Sequence, residues 1–269
     1  MEQNMIKNIL TIAGSDSSGG AGIQADIKTI SALGGYAMSV VTAVTAQNTS
    51  GVKAVKLIEA SLIKAQLDAI FDDIRVDAIK IGMLGSSEII TTVAECLKTK
   101  NIPIVLDPVM VAKSGDPLLD SNAVNALKDT LLPLATLITP NLPEAAVLLG
   151  QKEANSRAEM EDQAKDLLNQ GVESILLKGG HLKGKDSPDL LASYGSLIWF
   201  EEKRFETKNT HGTGCTLSSA LATLIGQNYS IQEAILESKG YLTNAIKAAD
   251  NLNVGNGHGP TNHFWNSIG

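Results

Sequence analysis

The sequence predicts an α/β fold of three layers, with helices on both faces of a mostly parallel central sheet. Short apolar runs alternate with helical patterns from end to end. Hydrophobic residues make up 43% of the chain but aromatics only 4%, so small and branched aliphatics carry the core, as in helix-covered parallel sheets. No Pro/Gly/Ser-rich linker and no internal repeat divides the 269 residues, so a single domain spanning 1–269 is expected.

Taken in order, "NILTIAG" reads as a strand. "AGIQADIKTISALGG" reads as a helix with Ile23, Ile27 and Ile30 inward and glycines closing it. "YAMSVVTAVTAQ" is β-branched and strand-like, and "GVKAVKLI" alternates as a half-exposed strand should. Three helix–strand pairs follow: "SLIKAQLDAIFDD" with "DAIKIGM", "SEIITTVAECLKTK" with "IPIVLDPV", and "SNAVNALKDTLLP" with "ATLITPN". Next come helices in "PEAAVLLG" and "SRAEMEDQAKDLLNQG", then strand "SILLKGG". "DLLASYGSLIWF" and "KRFETKN" read as a hairpin around charged residues, and two helices, 214–227 and 230–249, precede a glycine-rich tail. Repeated βα units imply right-handed crossovers, and ligands of such sheets collect at the carboxyl ends of the strands.

Net charge is -7, which argues against nucleic acid or an anionic membrane as the main partner. Cys96 and Cys215 follow no zinc-ligand or disulfide spacing. The N-terminal run "MEQNMIKNILTIAG" reads as neither signal peptide nor membrane span, so a cytoplasmic protein is expected.

The loops after the strands carry the chemistry. "GSDSSGGAG" is longer than a tight βα turn needs and suits close approach of backbone to a ligand. It matches neither GxGxxG nor GxxxxGK[ST], which disfavours a nicotinamide-dependent oxidoreductase. Asp107 ends an apolar strand, where it either caps a turn or holds a hydrated magnesium ion. Asn141 and Glu144 sit three apart at a helix start, a common capping arrangement that can also serve magnesium beside nucleotide phosphates. Lys178 leaves a strand beside two glycines, a position suited to phosphate. Gly212, Thr213, Gly214 and Cys215 open an apolar helix whose free N–H groups and dipole suit an anionic, transferring phosphoryl group. The same field is expected to depress the thiol pKa of Cys215.

Together "AGSDSSGGAGIQAD", "TAVTAQNTSGV", "DPVMVAKSGD", "TPNLPEA", "LLKGGH", "NTHGTGCTLSSALA" and "GHGPTNHF" resemble the hydroxymethylpyrimidine/phosphomethylpyrimidine kinases of thiamine biosynthesis, a branch of the ribokinase-like superfamily. The likeness covers essentially the whole chain. It implies a ribokinase-like fold, a homodimer, ATP with Mg2+, and two successive phosphorylations of a small pyrimidine. Carried over by motif, Gly212 to Cys215 form the anion hole, with Cys215 where related sugar kinases keep an aspartate base. Asn141 and Glu144 belong to the magnesium-associated motif, and Lys178 matches a nucleotide-phosphate contact. Gln47 matches the residue that binds the pyrimidine, with Met83 and Val109 as pocket walls and Asp26 as a further contact. The sulfur of Cys215 either accepts the hydroxyl proton or only shapes the pocket, and His211 reads as a support for its turn. Independently of the family, the Gln47 amide offers a donor beside an acceptor and pairs with the ring nitrogen and amino group of a 4-aminopyrimidine. Pyridoxal lacks that ring nitrogen, and a pyridoxal kinase of the same branch is the alternative. A non-catalytic sensor on this scaffold is disfavoured, because the phosphate cradle is retained.

Overall fold

The computed structural model describes residues 5–110 and 119–266. The chain begins with β1 (Asn8–Ser15), α1 (Gly22–Ala32), β2 (Tyr36–Asn48) and β3 (Gly51–Leu57). It continues through α2 (Ala60–Asp73), β4 (Ala78–Ile81), α3 (Ser87–Leu97), β5 (Ile104–Leu106) and α4 (Ser121–Ala126). Then come β6 (Leu137–Ile138), α5 (Leu142–Leu149), α6 (Arg157–Leu168) and β7 (Ser174–Lys178). The last elements are β8 (Asp189–Ser193), β9 (Ser196–Phe200), α7 (Thr213–Gly226) and α8 (Ile231–Lys247).

Among the described residues the strands form one nine-stranded sheet in the order β3-β2-β1-β4-β5-β6-β7-β8-β9. From β2 to β7 every pairing is parallel, while β3, β8 and β9 run antiparallel at the two edges. The period-two alternation of strand side chains divides the core. Leu10, Ile12, Ile79, Ile81, Leu106 and Leu177 face one layer, with Ile63 of α2, Ile90 of α3, Leu148 of α5 and Leu167 of α6. Ile9, Ala78, Val105, Leu137 and Leu176 face the other, against Ile30 of α1, Leu221 of α7 and Ile235 of α8. Strands buried on both faces explain the near-continuous apolar runs in the sequence.

Two expectations need correction. The helix expected over 121–133 keeps α-geometry only to Ala126, then widens over Leu127–Leu131 and tightens over Leu132–Leu134. Pro133 has no N–H to donate, and the change of pitch lets Leu127, Leu131 and Leu132 all bury. The expected hairpin is displaced: both of its strands lie within "DLLASYGSLIWF", turning at Tyr194 and Gly195, where Gly195 has φ +81. Of the second segment, only Lys203 bridges, to Asp186. The part of "DPVMVAKSGD" beyond Met110 lies outside the described residues.

A buried ion pair stands where the sheet meets α1 and α7. Lys80 of β4 and Asp26 of α1 are both fully buried, with Lys80 Nζ 2.9 Å from each carboxylate oxygen. Thr11 of β1 and Ser219 of α7 each donate a hydroxyl to Asp26 at 2.6 Å. Burial opposes the Lys80 charge, but Asp26 outweighs it and holds its pKa above the ordinary value. The expected substrate contact at Asp26 is therefore corrected: its carboxylate is used up inside the protein, and it does not line the cavity described below. Asp26→Ala would strand the Lys80 ammonium without a partner, and we expect a loss of about 3–5 kcal/mol in urea unfolding. A loss below about 1 kcal/mol would mean that water reaches Lys80 and that the pair does not brace the layer.

Candidate active site

The carboxyl ends of β1, β2, β4, β5, β6 and β7 open on a cavity of about 550 Å³. Gln47, Met83, Val109, Asp107, Asn141, Glu144, Lys178 and the Gly212–Cys215 turn all line it. A second cavity of about 460 Å³ lies alongside, with Phe205, Leu217, Leu242 and Ile246 as apolar walls and Arg204 and Lys239 among its charged groups. The two share Asn141, Lys178, His181, Thr210, Thr213 and Gly214. The start of α7 is the seam between them.

That seam is built by backbone. Gly212 is left-handed at φ +80 and forms the N-cap of α7. A Cβ there would lie 1.8 Å from the carbonyl oxygen of Gly20, so only glycine lets the two loops press together. No side chain caps α7 and no acid sits in its first turn. Ser86, Asp120, Asn141, Ser156 and Ser230 cap α3, α4, α5, α6 and α8 through their side chains, while α1 and α2, like α7, have no side-chain cap. An N-terminus left without such a cap keeps its field directed at the cavity.

Asp107 organises the neighbouring charges from the end of β5. Its Oδ1 accepts from Thr139 Oγ1 and from Lys178 Nζ, each at 3.1 Å, and its Oδ2 lies 3.4 Å from Ser218 Oγ of α7, whose one hydrogen has the Gly214 carbonyl closer at 2.9 Å. A Cβ on Gly214 would come within 3.3 Å of Asp107 Oδ2 and 3.7 Å of Lys178 Nζ. The cradle and the lysine therefore border the same space. The pKa of Lys178 is raised, its burial outweighed by Asp107 and Glu144.

Asn141 and Glu144 form a reciprocal capping box: each side chain accepts from the other residue's backbone N–H at 2.8 Å. Burial pushes Glu144 up to about 7, with Lys178 opposing and Asp107 adding to the rise. Two carboxylates thus share one lysine, and a divalent cation would relieve the uncompensated charge. Among the described residues no group of three or more His, Cys, Asp or Glu could hold a metal ion. The residues present fit magnesium that keeps its waters and takes phosphate oxygens, not one held in a protein cage.

The thiol also departs from expectation. Cys215 lines the cavity and its sulfur meets the Gly22 backbone N–H, yet burial pushes its pKa up to about 11, against the pull of Lys80. The helix field does not win, because a thiolate here would also face Asp26 and Asp107.

Two site residues escape the sequence reading, and a third has a larger role than supporting its turn. Lys80 lines the cavity; a lysine inside the apolar run "DAIKIGM" is a legible sign of a buried charge with a partner. Asp16 is buried and pins the first glycine-rich loop, accepting from the backbone N–H groups of Ser18, Gly20 and Ala21. Burial alone would raise its pKa, but hydrogen bonds from His211 and Ser18 outweigh that and bring it down to about 2. His211 joins that carboxylate at 2.8 Å and reaches Gln47 at 3.3 Å. These contacts cross 195 and 164 residues of chain and leave no local pattern.

Residues 16–262 match the family model for phosphomethylpyrimidine kinase. A hydroxymethylpyrimidine/phosphomethylpyrimidine kinase of Salmonella typhimurium is 53% identical over 258 residues, 96% of this chain and 97% of that protein. The crystal structure of phosphomethylpyrimidine kinase from Clostridium difficile 630 superposes with a TM-score of 0.80 at 46% identity, over 89% of this chain and 99% of that one. An ADP complex of Bacillus subtilis pyridoxal kinase superposes with a TM-score of 0.90 at 37% identity, over 98% of this chain and 100% of that one. With the family model matched and similarity running over nearly the full length, the chain belongs to the phosphomethylpyrimidine kinase family.

Proposed function

We propose that this chain transfers the γ-phosphoryl group of ATP to the hydroxymethyl group of 4-amino-5-hydroxymethyl-2-methylpyrimidine, and then to the resulting monophosphate to give the pyrophosphate. The observation that carries the reading is the pair of cavities meeting at the uncapped start of α7. A ring held at Gln47, between Met83 and Val109, would present its hydroxymethyl group to Gly212–Cys215. A nucleotide lying along Leu217, Leu242 and Ile246 would bring its terminal phosphate to the same turn past Lys178.

Phosphoryl transfer depends chiefly on positioning and on stabilising charge spread over three equatorial oxygens. The N–H groups of the turn would hold those oxygens without reorganising, and Lys178, fixed by Asp107, would hold the phosphate beside them. Magnesium, when bound with the nucleotide, supplies charge neutralisation across the phosphates. Glu144 and Asp107 would orient its waters. The reading carries with it a cytoplasmic homodimer acting on small molecules, with no nucleic-acid partner. Among the described residues no helix is long and apolar enough to cross a membrane.

Pyridoxal is the competing substrate, given the similarity to the Bacillus subtilis enzyme. Gln47 favours the pyrimidine, whose ring nitrogen and amino group match both ends of the amide. Incubation with hydroxymethylpyrimidine, ATP and Mg2+ is expected to yield monophosphate and pyrophosphate by mass, with pyridoxal turned over more slowly. A strong preference for pyridoxal would transfer the assignment to that ring.

Two variants test the roles. With a thiol pKa of about 11, only a small thiolate fraction exists at neutral pH, but that form is a strong base. If Cys215 accepts the hydroxyl proton, kcat/KM climbs steadily from about pH 6 to about pH 9. Cys215→Ala then loses that climb together with about 10²–10⁴ in kcat. A profile shared by both proteins would leave Cys215 as a pocket wall. Glu144→Gln is expected to raise the Mg2+ concentration for half-maximal rate by about tenfold while leaving the KM for the pyrimidine near wild type; an unaltered Mg2+ dependence would remove Glu144 from the ion's surroundings.

A further inference from the structure

Two side chains, His211 and Thr45, meet the Gln47 carboxamide, and with Asp16 behind His211 their chemistry fixes which of its ends is the donor. Asp16 Oδ1 accepts from the backbone N–H of Ser18 at 2.8 Å and from its hydroxyl at 2.7 Å. Asp16 Oδ2 accepts from the N–H groups of Gly20 at 3.1 Å and Ala21 at 2.8 Å. A carboxyl group met by four donors is a carboxylate. His211 Nε2 lies 2.8 Å from the same Oδ2, so this nitrogen carries a proton and donates it. Nε2 therefore has no lone pair to offer Gln47, whose carboxamide ends 3.3 Å away.

The opposite end of the carboxamide lies 3.3 Å from Thr45 Oγ1. That hydroxyl has one hydrogen, and the carbonyl of Ser15, 3.0 Å away and able only to accept, takes it. Thr45 thus shows Gln47 a lone pair. A carboxamide nitrogen at His211 would set donor against donor, and its oxygen at Thr45 would set acceptor against acceptor. The exchanged orientation lets the NH2 donate to Thr45 and turns the oxygen toward the Nε2–H that Asp16 already holds, which removes both clashes; the oxygen and nitrogen of an amide are told apart by their partners rather than by shape.

We infer that Asp16, His211 and Thr45 are specificity-determining positioning residues that lock Gln47 with its oxygen on the His211 side and its NH2 on the Thr45 side. The inference rests on the pyrimidine reading above and deepens it. With Gln47 so locked, the ring amino group pairs beside His211 and the ring nitrogen beside Thr45. The hydroxymethyl carbon is ortho to the amino carbon, so it is carried to the His211 side, where the chain runs directly into Gly212. A 4-oxo analogue, with N3–H and a carbonyl, offers the reverse order and meets two mismatches.

The experiment compares kcat/KM for hydroxymethylpyrimidine and for its 4-oxo analogue in the wild type, His211→Phe, Thr45→Val and Thr45→Ser. The preference for the amino ring is expected to fall by about tenfold or more in His211→Phe and Thr45→Val, as the amide becomes free to turn. Thr45→Ser, which keeps the hydroxyl, is expected to retain the wild-type ratio. A merely structural role would lower both substrates together, and an unmoved ratio in Thr45→Val would overturn the inference even if His211→Phe failed to fold. Wild-type turnover of hydroxymethylpyrimidine separates the two levels. If it is absent, the functional reading falls and takes this inference with it; if it is present with an unmoved ratio, only the lock at Gln47 falls.

Discussion

The site depends on one close approach, that of Gly212 to the carbonyl of Gly20, which leaves no room for a side chain. Because Gly212 is left-handed, α7 begins abruptly beside the cavity without a side-chain capping oxygen, Thr213 N–H meeting only the Thr210 carbonyl at 3.4 Å. Because the loop after β1 lies against that turn, Asp16 and His211 can meet, and Gly22 can reach the sulfur of Cys215. A residue with a Cβ at Gly212 would part the two loops, and with them the ring pocket and the phosphate cradle.

Charge follows the same economy. The chain carries a net charge of -7, and yet the proposed reaction requires it to hold anionic phosphates. The two lysines of the larger cavity are already paired, Lys80 with Asp26 and Lys178 with Asp107. In the proposed reaction Lys178 therefore meets phosphate as an already paired charge, and the rest of the attraction would come from backbone N–H groups and a helix field, whose reach is about one turn. Such a cradle grips a phosphate that is correctly placed and draws little from a distance. Buried lysine–carboxylate pairs give limited net stability; their use here is to fix where each charge sits.

Much of this was legible in the sequence, for identifiable reasons. The alternation of buried strands and amphipathic helices set the layers, since Ile9 and Leu10, or Ala78 and Ile79, must point to opposite faces. The loop motifs marked Gln47, Asp107, Glu144, Lys178 and Gly212–Cys215, and these line one cavity. What escaped depends on burial and on long-range pairing. Asp26 looks like a site residue beside a glycine-rich loop, yet the lysine that claims it is 54 residues away. The Cys215 thiol sits at a helix start, where local reasoning lowers its pKa, and only the packed structure shows that desolvation beside two carboxylates is the larger effect. The hairpin was misplaced because the charged residues near 201–204 resemble a turn, while the true turn needs only Tyr194 and a left-handed Gly195.

Placement of the reacting groups then reduces to how rigidly Asp107 is held. Its carboxylate ties the ends of three neighbouring strands, through itself after β5, Thr139 after β6 and Lys178 on β7, and it lies 3.4 Å from Ser218 on α7. Each contact alone contributes about 1–3 kcal/mol at most. Their joint effect is geometric: the lysine and the helix start share one buried anchor and cannot drift independently. For a reaction governed by alignment, an error of about 1 Å costs roughly a hundredfold in rate. A site assembled at strand ends and one helix terminus, with the anchoring acid between them, has little freedom to make that error. The loops proposed to hold the ring share this framework: His211, joined to Asp16 at 2.8 Å, immediately precedes Gly212, so a shift in the ring pocket would be felt at the start of α7.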